Sequence, residues 1–133
     1  MKDILFFSKN KDKIKEICSL LENHPYKILN LNNFEKIVSP SETGTTFEEN
    51  AKIKSIFGLK KFNKICFADD SGICIEAMNN GPGVNSSDFL NLNKDKKKIF
   101  NEIIKKTKDK NCALAYFQTT ICFSVNEKEN FFF

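Results

Sequence analysis

From Ala113 to Val125 two sets of side chains take turns: Ala115, Phe117, Thr119, Ile121, Phe123 and Val125 alternate with Tyr116, Gln118, Thr120, Cys122 and Ser124. A period of two over so long a run marks a β-strand, because successive side chains leave opposite faces. Such a strand needs sheet partners. Asp3-Ile4-Leu5-Phe6-Phe7 is one, a short continuous apolar run of the kind buried in α/β proteins. Lys27-Ile28-Leu29-Asn30-Leu31 is another. Between them Ile14, Ile17, Cys18 and Leu21 fall at i, i+3, i+4 and i+7, which predicts an amphipathic helix ending near Asn23-His24-Pro25.

A second helix is expected from about Phe47 to Phe62. Thr46 and Glu49 have capping-box spacing, and Phe47, Ala51, Ser55 and Leu59 share a face. Gly58 weakens its interior modestly. Ile99, Phe100, Ile103 and Ile104 mark a third helix, from about Asp95 to Lys106. The run from Asn85 to Asn93 has no usable period. Asn126 to Asn130 is a turn-like break, and Phe131-Phe132-Phe133 opens a partner strand, an apolar end that is also an aggregation liability. The pattern is α/β, a mixed central β-sheet flanked by helices.

At 133 residues the chain fits a single domain, 1–133, large enough to bury a core without disulfide or metal staples. Apolar residues at 41% and charged residues at 29% exclude a disordered composition. All 21 basic residues are Lys, a skew that matches AT-rich coding and discounts Lys number as a functional signal. With 17 acidic residues the net charge is only +4, which suits a phosphate-bearing ligand and does not call for nucleic acid. The Lys-rich stretches 94–98 and 105–110 are interrupted by acids and fit a solvated helix face.

None of the five cysteines forms a Cys-x-x-Cys pair; reduced, buried thiols in a cytoplasmic protein are expected. His24, the only histidine, has no cysteine neighbour, so zinc is not expected. No signal peptide and no membrane span are expected.

Between strand-like runs Lys64-Ile65-Cys66-Phe67 and Ile73-Cys74-Ile75-Glu76 lies Ala68-Asp69-Asp70-Ser71-Gly72. Two carboxylates at a tight junction suit a hard cation, since Mg²⁺ takes one or two carboxylates plus waters and substrate phosphates. Asp-Asp-Ser-Gly is equally ordinary turn chemistry. Ser8-Lys9-Asn10-Lys11-Asp12-Lys13, after the first strand, is either an anion site at a helix start or an ordinary Ser or Asn cap. Glu42, in the polar loop from Val38 to Thr45, is a metal ligand or a solvated charge.

Together three segments resemble one family, the inosine/xanthosine triphosphate pyrophosphatases, or Ham1-like proteins. Ser8-x-Asn10-x-x-Lys13 is similar to their phosphate loop. Glu42-Thr43-Gly44-x-x-Phe47-x-Glu49-Asn50-Ala51-x-x-Lys54 and Ala68-Asp69-Asp70-Ser71-Gly72 with Gly81-Pro82-Gly83-Val84 are similar to two further blocks. The resemblance implies Mg²⁺-dependent hydrolysis of ITP, dITP or XTP to the monophosphate and pyrophosphate, by a cytoplasmic homodimer that sanitises nucleotide pools.

Carried over by position, Ser8, Asn10 and Lys13 hold the triphosphate and Ser71 touches substrate. Glu42 and Asp70 hold the metal, Asp70 is also the proton acceptor for the attacking water, and Asp69 supports it. Two departures stand out. Asp88 occupies the place of a usual basic residue, and the family's later segments, with Phe-Gly-Tyr-Asp-Pro and Ser-His-Arg, are absent. The expectation is an ITPase-like fold incomplete at the C-terminus, with a catalytically inactive remnant as the rival reading.

Overall fold

The computed structural model describes residues 2–133. Its strands are β1 (Lys2–Phe6), β2 (Tyr26–Asn30), β3 (Cys66–Ile75), β4 (Gly81–Pro82), β5 (Ala115–Ser124) and β6 (Asn130–Phe132). The helices are α1 (Lys11–Leu20), α2 (Phe47–Phe62), α3 (Ser86–Asn91) and α4 (Lys96–Asp109). The strands form one mixed sheet in the order β2-β1-β3-β5-β6, with β4 beside β3. β1 runs parallel to β2 and β3, whereas β4 is antiparallel to β3 and β6 to β5. The expected mixed α/β architecture is therefore present.

Two compact units divide the chain: Met1–Asp69 with Thr120–Phe133, and Asp70–Thr119. The first holds two hydrophobic clusters that follow from alternation along β1. Leu5 and Phe7 join Leu31, Ile37, Cys66 and Ala68 under α2, with Phe57 and Phe62 against them. Ile4 and Phe6 join Phe67 under α1, with Ile14, Ile17 and Phe123 against them. Strand residues one apart thus feed opposite layers.

α2 has the boundaries its capping signal predicts. The Thr46 side chain accepts from Glu49 N–H, and the Glu49 carboxylate accepts from Thr46 N–H. Gly58 has a reason that helix propensity does not show. A Cβ there would lie 2.5 Å from Cys66 Sγ and 2.8 Å from the Phe7 ring, so its absence lets α2 seat close on the sheet.

In the second unit, Glu76 N–H donates to Leu114 O and the hydroxyls of Ser71 and Thr119 are hydrogen bonded. One number rises as the other falls, the mark of an antiparallel pair. Buried Ser86 holds the start of α3 by donating to Gly83 O at 2.6 Å and accepting from Ile73 N–H at 2.9 Å. That contact explains a short helix within 85–93, where no periodicity announces one. α4 buries Ile99 and leaves Phe100 and Ile104 exposed.

Two sequence expectations need correction. The runs 64–67 and 73–76 are not separate strands around a junction: Cys66 to Ile75 is one continuous strand, buried at most positions. β1 pairs with its start at Cys66 and Phe67 and β4 with its end at Cys74 and Ile75, while β5 lies beside it with Thr119 against Ser71, so sheet pairing keeps the Asp-Asp-Ser-Gly stretch extended against its turn propensity. The thiols are not all buried either. Cys66, Cys74 and Cys122 are, but Cys18 lies on the outer face of α1 and Cys112 is half-buried. Phe131-Phe132-Phe133 does open a partner strand, with Ile121 and Phe133 exchanging backbone hydrogen bonds beyond β6.

Candidate functional site

The loop from Ser8 to Asn10 carries the chain from β1 into α1. Ser8 Oγ accepts from Asn10 N–H at 3.2 Å, and Asn10 Oδ1 accepts from the N–H groups of Asp12 and Lys13 at 3.0 and 3.2 Å. Asn10 is thus the N-cap of α1, and its side chain satisfies two of the donors every helix start leaves open. The capping reading is the one these contacts carry. With Oδ1 committed to the cap, Nδ2 remains as the donor of that amide.

Lys13, in the first turn of α1, reaches Asp69 Oδ2 at 2.5 Å. The alternation of β3 explains this choice. Phe67 faces α1, and Asp69, two residues on, has the same parity; Asp70 has the parity of Cys66 and Ala68. Consecutive carboxylates in a strand leave opposite faces, so the two aspartates are not equivalent. Asp69 is the ion-pair partner of Lys13, a role more definite than its adjacency in sequence suggested. Asp70 is only 7% exposed.

The segment 42–46 lies against the start of α2. The Glu42 carboxylate sits 2.7 Å from Lys54 Nζ. Gly44 N–H donates to Asn50 Oδ1 at 2.8 Å. Thr45 N–H and its hydroxyl, with Thr46 N–H, all donate to the Glu49 carboxylate. These bonds, the Thr45 backbone donor first, hold the Glu49 carboxyl below its ordinary range. Beside the segment opens a groove of about 520 Å³ lined by Thr43, Gly44, Glu49, Lys52, Ile53 and Ile56. A second groove, about 560 Å³, is mostly apolar, bounded by residues that include Ile17, Leu21, Phe123 and Phe133, with Lys2 and His24 also on its lining.

In the first unit the fold therefore brings Ser8, Asn10 and Lys13 together with Asp69, and sets Glu42 on Lys54. In the second, Ser71 is half-buried with its hydroxyl 3.0 Å from that of Thr119. Asp88 is exposed in the first turn of α3. Lys54 and Asn50 were legible only as letters of a motif. Their separation of four, one helical turn, is the signal that both face the same loop.

Comparison with known proteins is consistent across sequence and structure. The Ham1 family model matches residues 4–133. The dITP/XTP pyrophosphatase of Flavobacterium psychrophilum is 34% identical over 129 residues, covering 97% of this chain and 67% of that protein. The dITP/XTP pyrophosphatase of Bacillus cereus is 34% identical over 133 residues, covering 97% and 65%. A HAM1 protein from Coxiella burnetii superposes with a TM-score of 0.87 at 29% identity, covering 99% of this chain and 68% of the other. The Staphylococcus aureus Ham1 protein gives 0.85 at 30% identity, with the same coverage. The chain spans about two thirds of the length of the curated relatives it matches.

Proposed function

The chain belongs to the Ham1 family, and from that premise we propose that it is a nucleoside triphosphate pyrophosphatase. Its substrates are dITP and XTP, as the names of its relatives suggest, and ITP by the same purine chemistry. The reaction releases pyrophosphate and the nucleoside monophosphate and so cleans nucleotide pools. The observation that carries this reading is the ion pair of Lys13 with Asp69, which ties the helix-start loop to the strand of paired carboxylates.

In this reading Ser8, Asn10 and Lys13 hold the triphosphate and Ser71 contacts the substrate. Lys13 offers its ammonium to phosphate oxygens while Asp69 keeps it aimed. Asp70 accepts the proton of the attacking water as the water oxygen bonds to the α-phosphorus. The bond to the bridging oxygen breaks, and its electron pair leaves with pyrophosphate.

Glu42 and Asp70 are the carboxylates we assign to Mg²⁺. Their donor set fits the ion: both offer hard oxygens, and Mg²⁺ keeps waters and phosphate oxygens in its remaining positions. Among the described residues no group of three or more His, Cys, Asp or Glu forms a closed cage, which that open style of binding does not need. When bound, the ion neutralises phosphate charge and acidifies water.

In this reading the protein acts in the cytoplasm, where nucleotide pools are, as a homodimer. The test is pyrophosphate release from dITP, XTP, ITP and dATP with Mg²⁺, beside Asp70→Asn. Selective turnover of the first three that falls about 10²–10⁴-fold in the variant supports the reading. Equal rates for the two proteins would remove Asp70 from it, and no turnover of any triphosphate would remove the activity.

A further inference from the structure

We infer that Asn50 is a positioning residue for Glu42: through Gly44 it seats the loop so that the Glu42 carboxylate lies over the next turn of α2. The role rests on the proposal that Glu42 is a metal carboxylate, while the placement itself stands on the contacts alone.

Asn50 is an uncharged polar side chain, 3% exposed, in a helix whose buried face is otherwise mostly apolar or small. Burying an amide is unfavourable unless its polar atoms are bonded, so the residue needs a use. That use is the Gly44 N–H, which Oδ1 accepts at 2.8 Å. The approach is close enough to exclude a side chain. A Cβ on Gly44 would lie 2.6 Å from Asn50 Oδ1 and 2.6 Å from Glu49 Cβ.

Glu42 stands two residues before this anchor, in a segment with no helix or strand of its own to orient it. Its carboxylate meets Lys54, four residues beyond Asn50 and on the same stripe of α2. Lys54 alone is a poor guide. A flexible four-carbon stem tolerates many carboxylate positions, and a pair whose acid is 41% exposed is weak. The rigid element is the half-buried hydrogen bond between Gly44 N–H and the buried Asn50 side chain, with the Thr45 and Thr46 bonds to Glu49 holding the chain immediately after it. Asn50 thereby determines where the carboxylate can go, and Lys54 receives it there.

The placement is tested by zero-length carbodiimide cross-linking of the full chain, with the Glu42–Lys54 amide mapped by peptide fragmentation. Wild type should form it. Asn50→Leu, which keeps the volume and removes the acceptor, should lower the yield roughly ten-fold, about the effect of one lost hydrogen bond. Asn50→Asp, which retains an oxygen for Gly44 N–H, should restore it. Gly44→Ala attacks the same contact from the loop and replaces Asn50→Leu if that variant does not fold. An undiminished cross-link in the folded variant, or none in wild type, would overturn the inference. Mn²⁺ relaxation of the Glu42 resonances answers the other question. Mn²⁺ that spares Glu42 while the cross-link follows Asn50 removes the metal assignment and leaves the positioning standing; the opposite pattern does the reverse.

Discussion

Lys13 Nζ and Asp69 Oδ2 lie 2.5 Å apart although 56 residues separate them in the chain. The lysine leaves the first turn of α1 and the aspartate leaves the β3 face that α1 covers. The pair therefore records how the helix-start loop and the carboxylate strand are registered to each other. Asp69 is the more buried partner, its side chain 11% exposed, so the lysine is held by a carboxylate that water reaches poorly.

Lys13→Met should lower kcat/KM for dITP about 10²–10³-fold, the usual effect of deleting one well-placed charge-stabilising group. The stem stays nearly isosteric and α1 keeps its Asn10 cap, so circular dichroism should be unchanged. Unaltered pyrophosphate release by Lys13→Met would show that the pair is architectural only.

Gly58→Ala should destabilise the protein despite alanine's better helix propensity. Propensity gains about 1 kcal/mol. Against it stands a methyl 2.5 Å from Cys66 Sγ and 2.8 Å from the Phe7 ring, in a core where overpacking costs about 1–3 kcal/mol. Urea denaturation of the two proteins should show a lower midpoint for the variant. A higher midpoint would mean that α2 lifts from the sheet at no cost.

Glu49→Gln reports on the cap of α2. The Thr45 N–H, the Thr45 hydroxyl and the Thr46 N–H hold the native carboxyl below its ordinary value of 4.5. A depressed carboxyl contributes stability above its unfolded value and loses it as pH falls through the native one. The stability difference between wild type and Glu49→Gln should therefore be level above pH 4.5 and shrink as the pH drops below it. Urea midpoints measured across that window decide the matter, and a difference that does not change with pH would be against it.

Thiol reactivity should separate the cysteines by burial. Cys18 is exposed and Cys112 half-buried, whereas Cys66, Cys74 and Cys122 are buried. Burial pushes the Cys66 thiol up, with Cys122 beside it adding to the effect, so the reactive thiolate is scarce there. A native chain treated with a disulfide reagent at pH 8 should modify Cys18 first and Cys112 next, leaving the other three until denaturant is added. Early modification of Cys66 would contradict the packing of α2.

Much of the secondary structure was legible because its signals are local. Thr46 and Glu49 announce where α2 begins, and the alternation through Phe117, Ile121 and Phe123 announces β5. α3 was not legible, because what holds it is Ser86 bonding to Ile73 and Gly83, a contact without periodicity. The Asp-Asp-Ser-Gly stretch was misread as a junction between two strands for a related reason. Its residues favour turns, and only pairing with strands distant in sequence, β5 among them, keeps them extended.

The sequence by itself determined which chemistry is available: a lysine and an asparagine at a helix start, a loop glutamate, two adjacent carboxylates, and the order that places them in the Ham1 family. Only the tertiary structure decided how the work divides among them. Adjacent letters in a strand leave opposite faces, and Asp69 is the one of the two carboxylates that the structure pairs with Lys13 at 2.5 Å. Letters four apart on a helix share a face, so Asn50 and Lys54 receive one loop. Which of those faces meets which partner depends on packing between elements distant in sequence, and no local pattern encodes it.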